Sequence, residues 1–170
     1  MKHDVVEELF KKYYNDALLY TLSLSKNRAV AEDIVSNAFY KALIKIDEER
    51  DGEYFKSWLF TVCRNEYFTF CRKKQRHNTV ELDERVADDS ESVLDTIIRD
   101  EDYRALYRAI EMLSDVQREL ITLFYFENMP IKEIASIVKK SENNVKVSLC
   151  RAREALKKLL EGENMGGYKR

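Results

Sequence analysis

Ile131-Lys132-Glu133-Ile134-Ala135-Ser136-Ile137-Val138-Lys139-Lys140-Ser141-Glu142-Asn143-Asn144-Val145-Lys146-Val147-Ser148-Leu149 reads as two helices joined by a tight turn. Pro130 opens the first, because a residue without N–H and with its φ already helical suits a first turn. Ile134, Val138 and Val145 can form a small shared core, and Ala135 is small where two helices must cross closely. Ser141 stands where a hydroxyl can accept a free backbone N–H of the second helix. That helix then presents Glu142, Asn143, Asn144 and Lys146 at the end where a recognition helix meets base edges. Arg151, Arg153, Lys157 and Lys158 continue the basic character, so that Lys139 to Lys158 hold seven basic and two acidic side chains. The pattern is that of a DNA-binding helix-turn-helix. Taken by itself it also describes an ordinary helical hairpin with a solvated basic face.

Outward from this core the chain organises itself by periodicity and charge. The last helix runs from about Glu142 to Leu160, and the glycine-containing tail from Gly162 to Arg170 is expected to fray. On the N-terminal side, Tyr103, Leu106, Ile110, Leu113, Leu120, Ile121, Leu123 and Phe124 keep helical spacing. Before them, from Glu81 to Asp102, ten acidic residues stand against Arg85 and Arg99 and large apolar residues are sparse, the composition of a flexible linker. Further back lie three helical stretches: Val5 to Leu24, then about Asn27 to Ile46 on Ile34, Val35, Ala38, Phe39, Ala42 and Leu43, then Phe55 to about Arg76. A charged loop from Asp47 to Tyr54 separates the second from the third. The fold predicted is all-α: two small helical domains, 1–78 and 103–161, joined by an acidic linker at 79–102, with a tail at 162–170.

Composition narrows the function classes. With 35% charged and 45% hydrophobic residues, four Gly and one Pro, the chain is a folded, helix-favouring type. A net charge of −2 gives no global basic signal, so any nucleic-acid site must come from local clusters of Lys and Arg. Cys63, Cys71 and Cys150 show no CxxC spacing and have only His3 and His77 as imidazole partners, which reads as free thiols packed as small hydrophobes in a reducing cytoplasm. No metal or cofactor is expected, and no stretch has the ~18 apolar residues of a membrane span. A hydrolytic enzyme is disfavoured, since the chain has no Gly-rich phosphate loop, no GxSxG and no HExxH.

A second basic cluster, Arg72-Lys73-Lys74-Gln75-Arg76, follows an aromatic stretch containing Phe55, Trp58, Phe60, Tyr67, Phe68 and Phe70. Cations at a helix end can simply complement its dipole. Rings beside Lys and Arg also suit unstacked single-stranded bases, each of which offers a π-face. Most of these rings must still fill a small core, leaving one or two to face outward.

Two DNA-facing helical units around an acidic linker resemble the extracytoplasmic-function, or group IV, sigma factors of bacterial RNA polymerase. The resemblance is carried by Ala31-Glu32-Asp33-Ile34-Val35 with Phe39, Lys41 and Ala42, by Phe55-Lys56-Ser57-Trp58-Leu59-Phe60 through Arg64-Asn65, and by Leu113-Ser114 with Gln117-Arg118-Glu119, Ile131 to Ala135, Asn144-Val145-Lys146 and Arg151-Ala152-Arg153. It implies a non-enzymatic cytoplasmic subunit, monomeric when free and without membrane insertion. It also implies contacts with core RNA polymerase at the β′ clamp helices and the β flap, with promoter DNA, and with an anti-sigma factor. Glu32, Asp33, Asn37 and Lys41 would serve the polymerase contact. Trp58, Arg64, Asn65, Tyr67, Phe68, Arg72 and Lys73 would handle the −10 strand. Glu142, Asn143, Asn144, Lys146, Ser148, Arg151 and Arg153 would meet the −35 element.

Three departures bear on specificity. Lys139 and Lys140 replace the Gly and apolar residue often found in the family's turn, and a non-Gly residue in a left-handed turn costs ~1 kcal/mol or more. Asn144-Val145-Lys146-Val147-Ser148 stands where Thr-Val-Lys-Ser-Arg is usual, removing an Arg. Ser36-Asn37-Ala38 stands where Gln-Glu-Thr is commoner. An unusual −35 sequence is expected. The competing reading is a stand-alone DNA-binding regulator, which predicts a stable dimer that footprints duplex DNA alone.

Overall fold

The computed structural model describes residues 2–45, 54–77 and 101–167, with side chains described for 3–45, 54–77 and 103–162. Among the described residues every regular element is helical, and the elements gather into two compact units.

The first unit is a bundle of α1 (Lys2–Ser25), α2 (Arg28–Lys45) and α3 (Phe55–His77), each packed on the other two. α1 stops where Lys26 takes a φ of 52° and donates its N–H to the Leu22 carbonyl at 2.9 Å. The Asn27 side chain then accepts the Val30 N–H at 3.0 Å, which starts α2. Ala17, Ala31, Ala38 and Ala42 are buried, and these small residues leave room for rings. Tyr20 and Phe60 stack with centroids 4.8 Å and planes 6° apart, and Phe39 lies 6.1 Å from Phe55. Leu43, expected on the apolar face of α2, is exposed together with Tyr40 and Ile44. The buried line runs through Ala31, Ile34, Val35, Ala38, Phe39 and Ala42, and Leu43 is turned by about 100° from its neighbour. Of the charged loop expected from Asp47 to Tyr54, only Tyr54 lies among the described residues.

The second unit contains α4 (Glu101–Met112), α5 (Asp115–Ile121), a turn of π-helix (Thr122–Phe126), α6 (Ile131–Val138) and α7 (Glu142–Gly167). The periodic run that begins at Tyr103 is interrupted at Ser114 by a capping box. The Ser114 Oγ accepts the Gln117 N–H at 3.3 Å, and the Gln117 side chain accepts the Ser114 N–H at 3.3 Å. Arg118 is only 3% exposed. Its guanidinium donates to the Leu113 carbonyl at 3.1 Å and to the Asp115 carboxylate at 2.5 Å, which makes its burial affordable. Ile110, Leu120, Ile121, Leu123, Ile134, Ile137, Val145 and Leu149 fill the core, with α7 packed on α4, α5 and α6.

Residues 79–100 of the expected linker lie outside the described residues, and Glu101 and Asp102 already belong to α4. α7 continues past Leu160 and through Gly162 to Gly167, where fraying was expected. A glycine lowers helix propensity by ~1 kcal/mol without stopping a helix that is already propagating.

The thiols also differ from expectation. Cys63 is buried, Cys71 half-buried and Cys150 exposed, and all three are free. Only Cys63 packs as a small hydrophobe, because Cys150 lies on the side of α7 away from the core. Burial pushes the Cys63 thiol up to about 12 from the ordinary 9.0, against a lowering hydrogen bond with Thr21 and with a further rise from Glu66. Among the described residues no helix is long and apolar enough to cross a membrane. His3, Asp4 and Glu7 place possible ligand atoms within 4.8 Å of one another, but all three are exposed. Glu7 is also engaged by Lys11 at 2.8 Å.

Candidate nucleic-acid interface

α3 turns Phe55, Leu59, Phe60 and Cys63 into the bundle. At about 100° per residue, the opposite line carries Thr61, Asn65, Phe68 and Arg72. Asn65, Phe68 and Arg72, expected together, therefore share one outward face, and all three are exposed. The Arg64 guanidinium lies over the Phe68 ring at 4.6 Å, and Tyr67 meets that ring edge-on at 5.4 Å. Arg72 donates to the Thr69 hydroxyl at 3.2 Å. Trp58 is half-buried against Phe55 at 5.8 Å, Tyr67 is half-buried, and Lys73 is exposed in the last turns of the helix. Of the six rings, Phe55 and Phe60 are core while Phe68 and Phe70 are exposed. Phe70 was not among the expected site residues. Its position near the end of the helix, where the bundle no longer covers it, is the only signal for its exposure.

On α2, Asp33 and Asn37 are exposed and lie one turn apart, with Tyr40 and Ile44 completing the same line. Sequence reasoning passed over Tyr40 and Ile44, although both fall outside the apolar register of the helix. Glu32 and Lys41 flank this line and already have partners. Arg28 donates to Glu32 at 2.9 Å, and Lys41 pairs with Glu66 of α3.

The turn between α6 and α7 puts Lys139 in the left-handed region, φ 57° and ψ 46°. Its N–H and that of Lys140 both return to the Ala135 carbonyl. The lysine thus adopts the conformation that a glycine would take without steric cost. Ser141 caps α7, its Oγ accepting the Asn144 N–H at 3.1 Å. Ile134, Ala135, Val138 and Val145 are buried, as their spacing predicts. Glu142, Asn143, Asn144, Lys146, Arg151 and Arg153 are exposed and Ser148 is half-buried. Val145, Leu149 and Ala152 form the buried seam, and the line opposite carries Asn143, Val147, Cys150, Arg151 and Glu154. Lys146 and Asn144 stand on either flank. The Ser148 hydroxyl donates to Asn144 at 3.2 Å and Arg153 Nε to the Leu149 carbonyl at 3.4 Å. The expected set is therefore spread around the helix: Asn143 and Arg151 lie on the outward half, Lys146 and Arg153 are exposed on one flank, and the half-buried Ser148 lies nearest the seam.

Two helical units of this construction, one ring-packed and one ending in a capped helix-turn-helix, match known families in the same order. The family Sigma-70 region 2 matches residues 9–77, and Sigma-70 region 4 matches residues 103–156. The ECF RNA polymerase sigma factor SigM of Bacillus subtilis (strain 168) is 32% identical over 154 residues, which cover 91% of this chain and 94% of the relative. RNA polymerase sigma factor YlaC of the same organism is 27% identical over 165 residues, covering 93% and 94%. Among solved structures, the sigma factor RpoE in complex with the anti-sigma factor NepR from Bartonella quintana aligns with a TM-score of 0.71 at 27% identity, covering 91% of this chain and 96% of that one. The chain belongs to the extracytoplasmic-function sigma factors of the sigma-70 family.

Proposed function

We propose that this protein is a non-catalytic, cytoplasmic specificity subunit that joins core RNA polymerase and directs initiation at a particular set of promoters. The first unit docks on the β′ clamp helices through the α2 face that carries Asp33 and Asn37, with Glu32 and Lys41 at its edges, and the second unit meets the β flap. Asn65, Phe68 and Arg72, with Trp58, Arg64, Tyr67 and Lys73 around them, hold the opened −10 strand. The ring and guanidinium pair of Arg64 and Phe68 suits a base stacked on it. α7 enters the −35 major groove with Asn143, Lys146 and Arg151 outermost, supported by Glu142, Asn144, Ser148 and Arg153. An anti-sigma factor holds the free monomer inactive, as NepR is bound to RpoE in the related structure.

The observation that carries this reading is the pair of region matches in order along one chain, together with a relative matched over 94% of its length. The test is run-off transcription with core RNA polymerase on promoter fragments from the protein's own genome, with and without the protein. Transcripts that appear only on its addition support the reading, and their start sites define the −10 and −35 elements. No transcripts, with the protein alone footprinting duplex DNA, would make it a stand-alone regulator.

A further inference from the structure

We propose that Val147 recognises a thymine methyl group in the −35 element; this rests on the assignment of α7 to that element. Val147 lies on the second turn of α7, beyond the Ser141 cap, in the half of a recognition helix that meets base edges. It points directly away from the seam of Val145, Leu149 and Ala152, and it is 43% exposed.

Folding gives little reason for valine at this place. A β-branched side chain loses χ1 freedom in a helix, and here the loss is not offset by full burial. Its neighbours along the outward line are Asn143 one turn before and Arg151 one turn after, with Lys146 on the flank. Val147 is thus an apolar contact bracketed by hydrogen-bond donors and centred on the face that meets the groove. Elsewhere on a protein surface a single exposed apolar side chain needs no explanation. In the major groove its complement is specific, because the C5-methyl of thymine is the apolar feature that the four base pairs offer there. Cys150, exposed on the same line one turn on, widens the apolar strip. The promoter therefore carries an A·T pair at the point where Val147 meets the groove.

The test uses holoenzyme on the promoter found by run-off transcription, in duplexes where each −35 thymine in turn is replaced by deoxyuridine. That replacement removes the methyl group and leaves every hydrogen-bonding edge intact. For the unaltered protein one such replacement lowers promoter affinity about fourfold, the effect of burying a single carbon. Val147→Ala holoenzyme binds the thymine duplex about fourfold more weakly and no longer distinguishes it from the deoxyuridine duplex. The substitution lies on the exposed side of a helix and raises helix propensity, so the variant folds.

Equal binding of all the duplexes by the unaltered protein overturns the proposal. So does a −35 element without an A·T pair, or a Val147→Ala holoenzyme that keeps its discrimination. A Lys146→Ala, Arg151→Ala double variant separates the two levels of inference. If it keeps −35-dependent transcription, the assignment of α7 fails and the role of Val147 fails with it. If it loses −35 dependence while deoxyuridine has no effect, α7 still reads the element and only the role of Val147 is wrong.

Discussion

The two units bury their helices with different materials. In the first, Tyr20, Phe39, Phe55 and Phe60 are buried together with four alanines, and all three helices have 18 residues or more. In the second, no aromatic ring among the described residues is fully buried, Arg118, Glu119, Thr122 and Glu127 are buried with the aliphatic side chains, and the 26-residue α7 is accompanied by α5 and α6 of only seven and eight residues. Helices that short have little stability of their own and depend on packing and on how their ends are satisfied. The capping box at Ser114, the buried Arg118, the left-handed Lys139 and the Ser141 cap supply those ends. The first unit is therefore governed by its rings, and the second by its turns as much as by its core.

The largest expected effect tests the rings. Phe60→Ala should cost about 3–5 kcal/mol, seen as an earlier urea transition in the fluorescence of Trp58, the chain's single tryptophan, which lies in the first unit. Leu149→Ala should cost about 2–5 kcal/mol in the second unit, lowering the urea midpoint for part of the helical circular dichroism while the Trp58 transition stays in place. A Trp58 transition that moves with Leu149→Ala would break the comparison. Ser114→Ala should remove about 1 kcal/mol from the second unit by the same circular dichroism measurement, and no loss would mean that the capping box is incidental. Lys139→Gly should have the smallest effect and the opposite sign, a gain of up to ~1 kcal/mol as the left-handed strain is relieved.

The thiols give a chemical version of the same contrast. At pH 8, Ellman's reagent should modify Cys150 first and Cys71 more slowly, leaving Cys63 until the first unit unfolds. The folded state binds the Cys63 proton more tightly than the unfolded state does. Its contribution to stability is thus complete below pH 9.0 and is lost as pH rises toward about 12.

Much of this architecture is legible in the residues, and the illegible parts have physical causes. Apolar periodicity locates α1 and α2, because each has a single buried face, while α3 shows as an aromatic stretch and α6 through the proline before it. It does not reveal the break at Ser114, where the apolar register carries on through Leu113 and Leu120 and only a side-chain cap divides the helices. Nor does it show that Arg118 is internal, since a charged residue is buried only when carbonyl and carboxylate acceptors converge on it. The turn at Lys139 and the cap at Ser141 follow from local chemistry and could be anticipated. Among the expected site residues, Asn143, Lys146 and Arg151 follow from their place on a basic helix, whereas Asn65, Phe68 and Arg72 were singled out by the family resemblance; all six are exposed. Type alone could not show that Ser148 is half-buried, and it drew attention away from Val147, an apolar residue bracketed by Asn143 and Arg151.

If core polymerase docks on the α2 face as proposed, the ion pair between Lys41 and Glu66 changes what that docking involves. A partner carboxylate that takes up Lys41 competes with Glu66, and a basic group that takes up Glu32 competes with Arg28. Association there is an exchange of partners more than a creation of new pairs, and exposed pairs are worth only about 0–1 kcal/mol. Added salt weakens the pairs on both sides of such an exchange. Docking through this face should therefore be less sensitive to ionic strength than the number of charges on it implies, and the exposed Tyr40 and Ile44 are left to supply most of the affinity.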